Sequence, residues 1–251
     1  MGRDENAELI ETNPYVDDGC YAGPRASKQK FMKALKLDCE VKIDEDLSEQ
    51  EVRILGAEYR ILKDTPEKGF HILIQSMQPY ISHMVEKYEA FVESEGIPPL
   101  NNRRVAPDSV ESPWDPNVEK PGVGTECCRS LVGSGMYAAR VGIPTEMKGI
   151  NSLASHVHDW RVSDDISARN WFQFQGQHQH DVRVFTICDE DFKLGTLFGF
   201  TFVDADLAGC LRTGRSTTSV IHLVLGLHGT FFVLGAESSL ERLVVHFDVV
   251  H

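Results

Sequence analysis

Apolar positions recur in two rhythms along the 251-residue chain, and each change of rhythm marks an element. Residues 27–37 carry Phe31, Met32 and Leu35 among lysines, the three-four spacing of an amphipathic helix, with Pro24 just ahead as a natural helix start. Residues 52–62 then predict a strand, 65–69 a turn, 70–74 a returning strand and 79–92 a helix, together a small α+β layer. From 97 to 124 the periodicity fades. Pro98, Pro99, Pro107, Pro113, Pro116 and Pro121 make this stretch a connector and the best candidate for a domain boundary. Beyond it, helical patterns cover 126–140, 146–158 and 163–175, and strand patterns cover 182–187, 197–203, 220–225 and 230–234. There is no internal repeat and no coiled-coil heptad.

With 41% hydrophobic and 25% charged residues, the chain can bury one or two sizeable cores. No run approaches the ~18 consecutive apolar residues of a membrane span, and residues 1–13 are acidic without the apolar centre of a signal peptide. The expectation is a soluble intracellular protein, cytoplasmic or nuclear, with no membrane partner. Cys20, Cys39, Cys127, Cys128, Cys188 and Cys210 form no CxxC pair and read as small buried residues of a reducing compartment.

A formal net charge of −13 and a pI near 5.2 speak against a free-standing nucleic-acid binder, because Lys and Arg neutralising phosphates supply most of such affinity. One segment departs from this balance: Arg25, Lys28, Lys30, Lys33 and Lys36 crowd together. A solvated helix face is the plainer reading of that run, and a nucleic-acid contact the functional one.

Tyr15-Val16-Asp17-Asp18 runs directly into Gly19-Cys20-Tyr21-Ala22-Gly23-Pro24. Taken alone, Asp-Asp-Gly suits an ordinary surface turn. The segments downstream add order to it. Phe31-Met32-Lys33-Ala34-Leu35-Lys36 follows in the first helix, then Ile54-Leu55-Gly56-Ala57-Glu58-Tyr59, then Gln78-Pro79-Tyr80-Ile81 with Val85-Glu86-Lys87-Tyr88. After the connector come Cys128-Arg129-Ser130-Leu131-Val132-Gly133-Ser134-Gly135-Met136-Tyr137, Phe202-Val203-Asp204-Ala205-Asp206-Leu207-Ala208-Gly209 and Arg215-Ser216-Thr217-Thr218. Block by block, from Tyr15 to about Gly226, the chain resembles the copia-type retrotransposon polyprotein, where the reverse transcriptase runs into ribonuclease H. The matching family strings are "YxDD", "FLGIEI", "QYIxxxLEKF", "YRSLVGSLMYL", "YSDADWAG" and "RKSTSG".

That resemblance implies an α+β chain: a partial reverse-transcriptase palm and thumb followed by a partial ribonuclease H-like sheet. The implied division is an acidic leader at 1–14, partial palm and thumb at 15–96, connector at 97–124, helical connection at 125–196 and a partial ribonuclease H-like domain at 197–251. Asp17 and Asp18 would be catalytic carboxylates holding Mg²⁺, with Tyr15 beside the primer end. Phosphoryl transfer of this kind uses two metals to activate the nucleophile and stabilise the leaving oxygens. Arg25, Lys28, Lys30, Lys33 and Lys36 would lie on the template-primer, and other segments of the polyprotein would be possible partners. Asp204 would be the first ribonuclease H carboxylate.

Both sites call for further acids. The family's other palm aspartate lies well upstream, whereas fourteen residues precede Tyr15, and Asp4, Glu5, Glu8 and Glu11 sit in a polar leader without a strand pattern. The family's "SSxEAEY" helix has no counterpart: Glu237 and Glu241 come too early, and Asp248 lies in another context. Ile143-Pro144-Thr145-Glu146-Met147 replaces the family's "RPDI", and Leu207 its tryptophan. The expectation is a catalytically incomplete remnant, with Mg²⁺ bound only if a complete site is assembled and otherwise no cofactor. Asp204 should face solvent or be held by Arg212 or Arg215, because an unpaired buried carboxylate is costly.

Two other classes stay open. His156, His158 and Asp159, then His178, His180 and Asp181, form two His-x-His-Asp segments whose donor types suit zinc or another first-row divalent ion. The first falls in a helical pattern, where a two-residue spacing diverges by ~200°. A non-enzymatic interaction protein is the other class, favoured by the acidic balance. There is no Gly-rich phosphate loop and no GxSxG elbow.

Overall fold

The computed structural model describes residues 11–15, 18–22, 25–38, 51–63, 69–106, 120–206, 212 and 216–241. Strands β1 (Glu11–Tyr15) and β2 (Asp18–Ala22) pair antiparallel, with Tyr15 opposite Asp18. Helix α1 (Arg25–Asp38) follows, with Phe31, Met32 and Leu35 half-buried and Lys30, Lys33 and Lys36 exposed, as the three-four spacing predicts.

The stretch expected as one strand from 52 to 62 is two. β3 (Val52–Ile54) and β4 (Ala57–Lys63) are joined by Leu55 and Gly56, both at positive φ (51° and 74°). Two positive-φ residues give the tight turn whose twist suits a hairpin, and glycine at the second removes its steric penalty. Leu55 has no such excuse. Its carbonyl accepts the Tyr137 hydroxyl at 2.7 Å, so a contact 82 residues away supports a turn that the local sequence does not announce.

β5 (Phe70–Ser76) pairs with β4, and after it come α2 (Gln78–Ser94), α3 (Cys128–Val141), α4 (Met147–Ser155) and α5 (Val162–Gln177). The chain then enters β6 (Val182–Cys188), a short α6 (Asp189–Leu194) absent from the sequence expectations, and the strands β7 (Leu197–Asp206), β8 (Ser216–Gly226) and β9 (Phe231–Glu241). Helix α4 stops at Ser155 rather than running on to His158, and His156 to His158 form a turn.

Among the described residues the fold is mixed α and β, with six α-helices and a seven-stranded, wholly antiparallel sheet in the order β3-β4-β5-β6-β9-β8-β7. This sheet takes strands from both sides of the proline-rich connector: β5 and β6 pair over seven residues, from Phe70 opposite Cys188 to Ser76 opposite Val182. The helices form the main core, where Ile81, Met84 and Tyr88 of α2 meet Leu131 and Ala138 of α3, Ile150 of α4 and Trp171 and Phe172 of α5. Tyr88 stacks on Phe172 at 4.3 Å, and Trp171 meets Phe172 edge-on at 5.1 Å. Gly135 lets α3 approach α4, since a Cβ there would stand 2.5 Å from Ile150 Cδ1 and 3.0 Å from Trp171. Gln75 fastens sheet to helices by donating its amide to the Tyr59 hydroxyl (2.9 Å) and the Val141 carbonyl (2.8 Å). Arg183 adds to this link at Gln75 Oε1 (3.0 Å), and burial lowers its pKa.

No described helix is long and apolar enough to cross a membrane. Cys128 and Cys188 are buried free thiols, as expected of small core residues, and Cys127 is half-buried.

Candidate functional site

The acids singled out in the sequence fall on separate sheets. Asp18 opens β2 in the two-stranded sheet, and Tyr15 closes β1 opposite it. Asp17 lies outside the described residues, as do the side chains of Tyr15, Asp18, Arg25 and Lys28. Lys30, Lys33 and Lys36 lie exposed on α1.

Asp204 stands near the end of β7, an edge strand of the seven-stranded sheet, directly opposite Ser219 of β8. It is exposed, and its Oδ1 accepts the backbone N–H of Ala205 at 3.0 Å. Of the two arrangements expected for Asp204, it takes the solvent-facing one, and Arg212, the alternative partner, goes elsewhere: both of its terminal nitrogens reach Asp164 Oδ2 at 3.2 Å. Asp164 is buried and offers two oxygens already oriented by α5, whereas Asp204 is exposed on an edge strand, so the guanidinium gains more at Asp164. Arg215 lies outside the described residues. Among the described residues no group of three or more His, Cys, Asp or Glu side chains is placed to hold a metal ion.

The strongest described polar cluster is one that sequence reasoning did not assemble. Asp164 accepts from His156 Nδ1 at 2.8 Å, from the Arg161 backbone N–H at 2.8 Å and from Arg212. Its position follows from helix chemistry. As the third residue of α5 it caps the helix start, and an acid there also meets the positive end of the helix dipole. An acid in the first turn of a helical pattern was the available signal; the partners, 8 and 48 residues away, were not.

The two His-x-His-Asp segments are each divided among separate tasks. His156 serves Asp164, His158 lies 3.4 Å from Arg129, and Asp159 pairs with Arg161. His178 pairs with Asp181 at 2.9 Å and stacks on Phe174, while His180 lines a cleft of about 300 Å³ with Glu51, Glu58 and Arg60.

One further buried acid, Asp191, seats the hairpin between β8 and β9. It accepts the Thr196 hydroxyl at 2.7 Å and the backbone N–H groups of His228 (2.9 Å) and Thr230 (3.0 Å). Burial alone would raise its pKa, but these donors together hold the carboxyl well below the usual carboxylate range.

No protein-family model, curated protein or solved structure matches the chain.

Proposed function

We propose that this chain is a piece of a copia-type retrotransposon polyprotein, drawn from its RNA-directed DNA polymerase and the start of its ribonuclease H, and that by itself it completes neither catalytic site. The ordered sequence blocks are its main support. The structural observation that carries it furthest is the hairpin pairing of β1 with β2, which sets Tyr15 opposite Asp18 across the Tyr-Val-Asp-Asp segment. A polymerase palm needs its paired carboxylates between two strands in this way, so that they can hold metal beside a primer end. Asp204, on the first strand of the β7-β8-β9 meander, is the second support. Incompleteness is supported at Asp204, which is exposed near the end of β7 with its Oδ1 accepting the backbone N–H of the next residue, Ala205.

Two measurements test this reading. The purified chain, given a DNA primer on an RNA template with Mg²⁺ or Mn²⁺, should not extend the primer; extension that disappears in Asp17→Asn would overturn the claim of incompleteness. The genomic DNA flanking the coding sequence should encode, in the same frame upstream, a further palm strand bearing an aspartate. Flanks carrying an unrelated host gene instead would remove the polyprotein origin.

A further inference from the structure

The two edges of the seven-stranded sheet are built very differently. At one end β3 is three residues long and places exposed Arg53 at its middle, beside exposed Glu51. A short, charged edge is how soluble proteins discourage strand addition. At the other end β7 spans ten residues, Leu197–Asp206, and from Thr196 to Val203 it reads Thr-Leu-Phe-Gly-Phe-Thr-Phe-Val, without a charge or a proline. Nothing in that run blocks a further strand, and the outer N–H and C=O groups of β7 have no described strand beside them.

The side chains of this edge are equally open. Phe198, Phe200 and Phe202 are 45%, 43% and 56% exposed, and alternation sets all three on one face of β7. On that face they sit opposite Leu225, Leu223 and Ile221 of β8, so the apolar surface continues inward from the edge.

The sequence of the edge also selects an occupant. Around Phe200 its large apolar positions are symmetric: Phe198 balances Phe202 and Leu197 balances Val203, with Gly199 set against Thr201. A strand with that symmetry is complementary to its own copy when the two run antiparallel about a two-fold axis at Phe200, because residue i then faces residue 400 − i. In that register all six phenylalanines meet phenylalanines, Leu197 meets Val203, and Gly199 leaves room for Thr201. Shifting the register by two residues breaks one aromatic pairing at each end, and shifting by one sets phenylalanines against the opposite face. A foreign strand would have no reason to share this symmetry.

We infer that β7 is a self-association edge, through which two copies of this chain pair antiparallel about Phe200 into one continuous sheet. The inference is independent of the polyprotein origin proposed above. The surface covered is on the order of 1,000 Å² in total, the low end for a specific interface, which places the dissociation constant in the micromolar range, around 10 µM. Each subunit carries a net charge of −13, so the subunits repel over distance and salt should tighten the dimer.

The test is sedimentation of the full chain from about 1 to about 100 µM at low and high salt, with hydrogen exchange at both ends of that range. A monomer–dimer equilibrium strengthened by salt is expected, with amide protection of residues 197–203 rising with concentration. Two double variants then read the register. Phe198→Lys with Phe202→Lys sets like charges opposite each other twice in the dimer, whereas Phe198→Lys with Phe202→Glu sets opposite charges there. Both remove the same two aromatics from exposed positions, so both should fold. The Lys/Glu variant should dimerise roughly tenfold more tightly than the Lys/Lys variant. A wild-type chain that stays monomeric, one that grows into open-ended oligomers, equal behaviour of the two double variants, or protection that does not change with concentration would each overturn the inference.

Discussion

Trp160 donates its indole N–H to the carboxylate of Asp165 at 2.7 Å, and that carboxylate also receives the backbone N–H groups of Val123 (2.8 Å) and Gly124 (3.0 Å). One acid in the first turn of α5 therefore pins the end of the proline-rich connector against the helical core. Gly122 and Gly124 make the approach possible, since a Cβ at either would lie 2.6 to 2.8 Å from Asp165 oxygens. Trp160 is buried, so its donor depends on this acceptor.

Replacing Asp165 with alanine should lower stability by roughly 2–4 kcal/mol, because three donors lose a charged acceptor at once and two of them, on Trp160 and Gly124, belong to buried residues. Urea denaturation monitored by tryptophan fluorescence measures this. A loss under ~0.5 kcal/mol, no more than an ordinary surface change, would show that the clamp does not stabilise the fold.

Asp164→Ala should cost about 3 kcal/mol or more, since it strips a buried acceptor from Arg212 and from His156 together. Arg212→Met should cost clearly less, because the remaining carboxylate keeps the His156 and Arg161 hydrogen bonds. Equilibrium unfolding of both variants decides it; equal losses would mean that Arg212 carries the whole cluster.

For Asp191 the sign with pH is definite. Its folded pKa lies below its unfolded value, so its contribution is fully present above the ordinary carboxylate pKa, near 4, and is lost as pH falls from there toward the depressed folded value. The urea midpoint should therefore drop below about pH 4, and Asp191→Asn should flatten that part of the profile while lowering stability at neutral pH. A variant as acid-sensitive as the wild type would assign the acid transition to other groups.

Nucleic-acid binding should be weak and carried by α1. With Arg25, Lys28, Lys30, Lys33 and Lys36 on this helix, log affinity for duplex DNA should fall against log salt with a slope of about −4.5 or shallower. Substituting the five with alanine should abolish what binding remains. Fluorescence anisotropy at several salt concentrations tests this, and tight binding that survives ~0.5 M salt would contradict it.

Where the elements lie was largely legible from hydrophobic rhythm. The helices α1, α2, α3 and α5 and the strands β5 to β9 fall where apolar spacing predicted them, with β7, β8 and β9 extending beyond the expected limits. The misses have two causes, contacts made outside the local window and an element too short to show a period. The Leu55–Gly56 turn lacks the Asn-Gly or Asp-Gly signature and takes a hydrogen bond from distant Tyr137. Helix α6 is too short for periodicity to reveal. His156 leaves the helical pattern to reach Asp164.

The sequence by itself determined which segments are helix or strand and which faces are apolar, because those follow from local sterics and from the 3.6- and 2-residue periods of side-chain direction. It also determined the strong negative charge and the symmetry of large apolar positions around Phe200. Which strand lies beside which was decided only by the tertiary structure. β5 pairs with β6 across more than a hundred residues, and Arg212 chooses Asp164 over Asp204. Such choices compare free energies between whole arrangements. A carboxylate already buried and oriented by a helix outbids an exposed one on an edge strand, and no local window of sequence contains both.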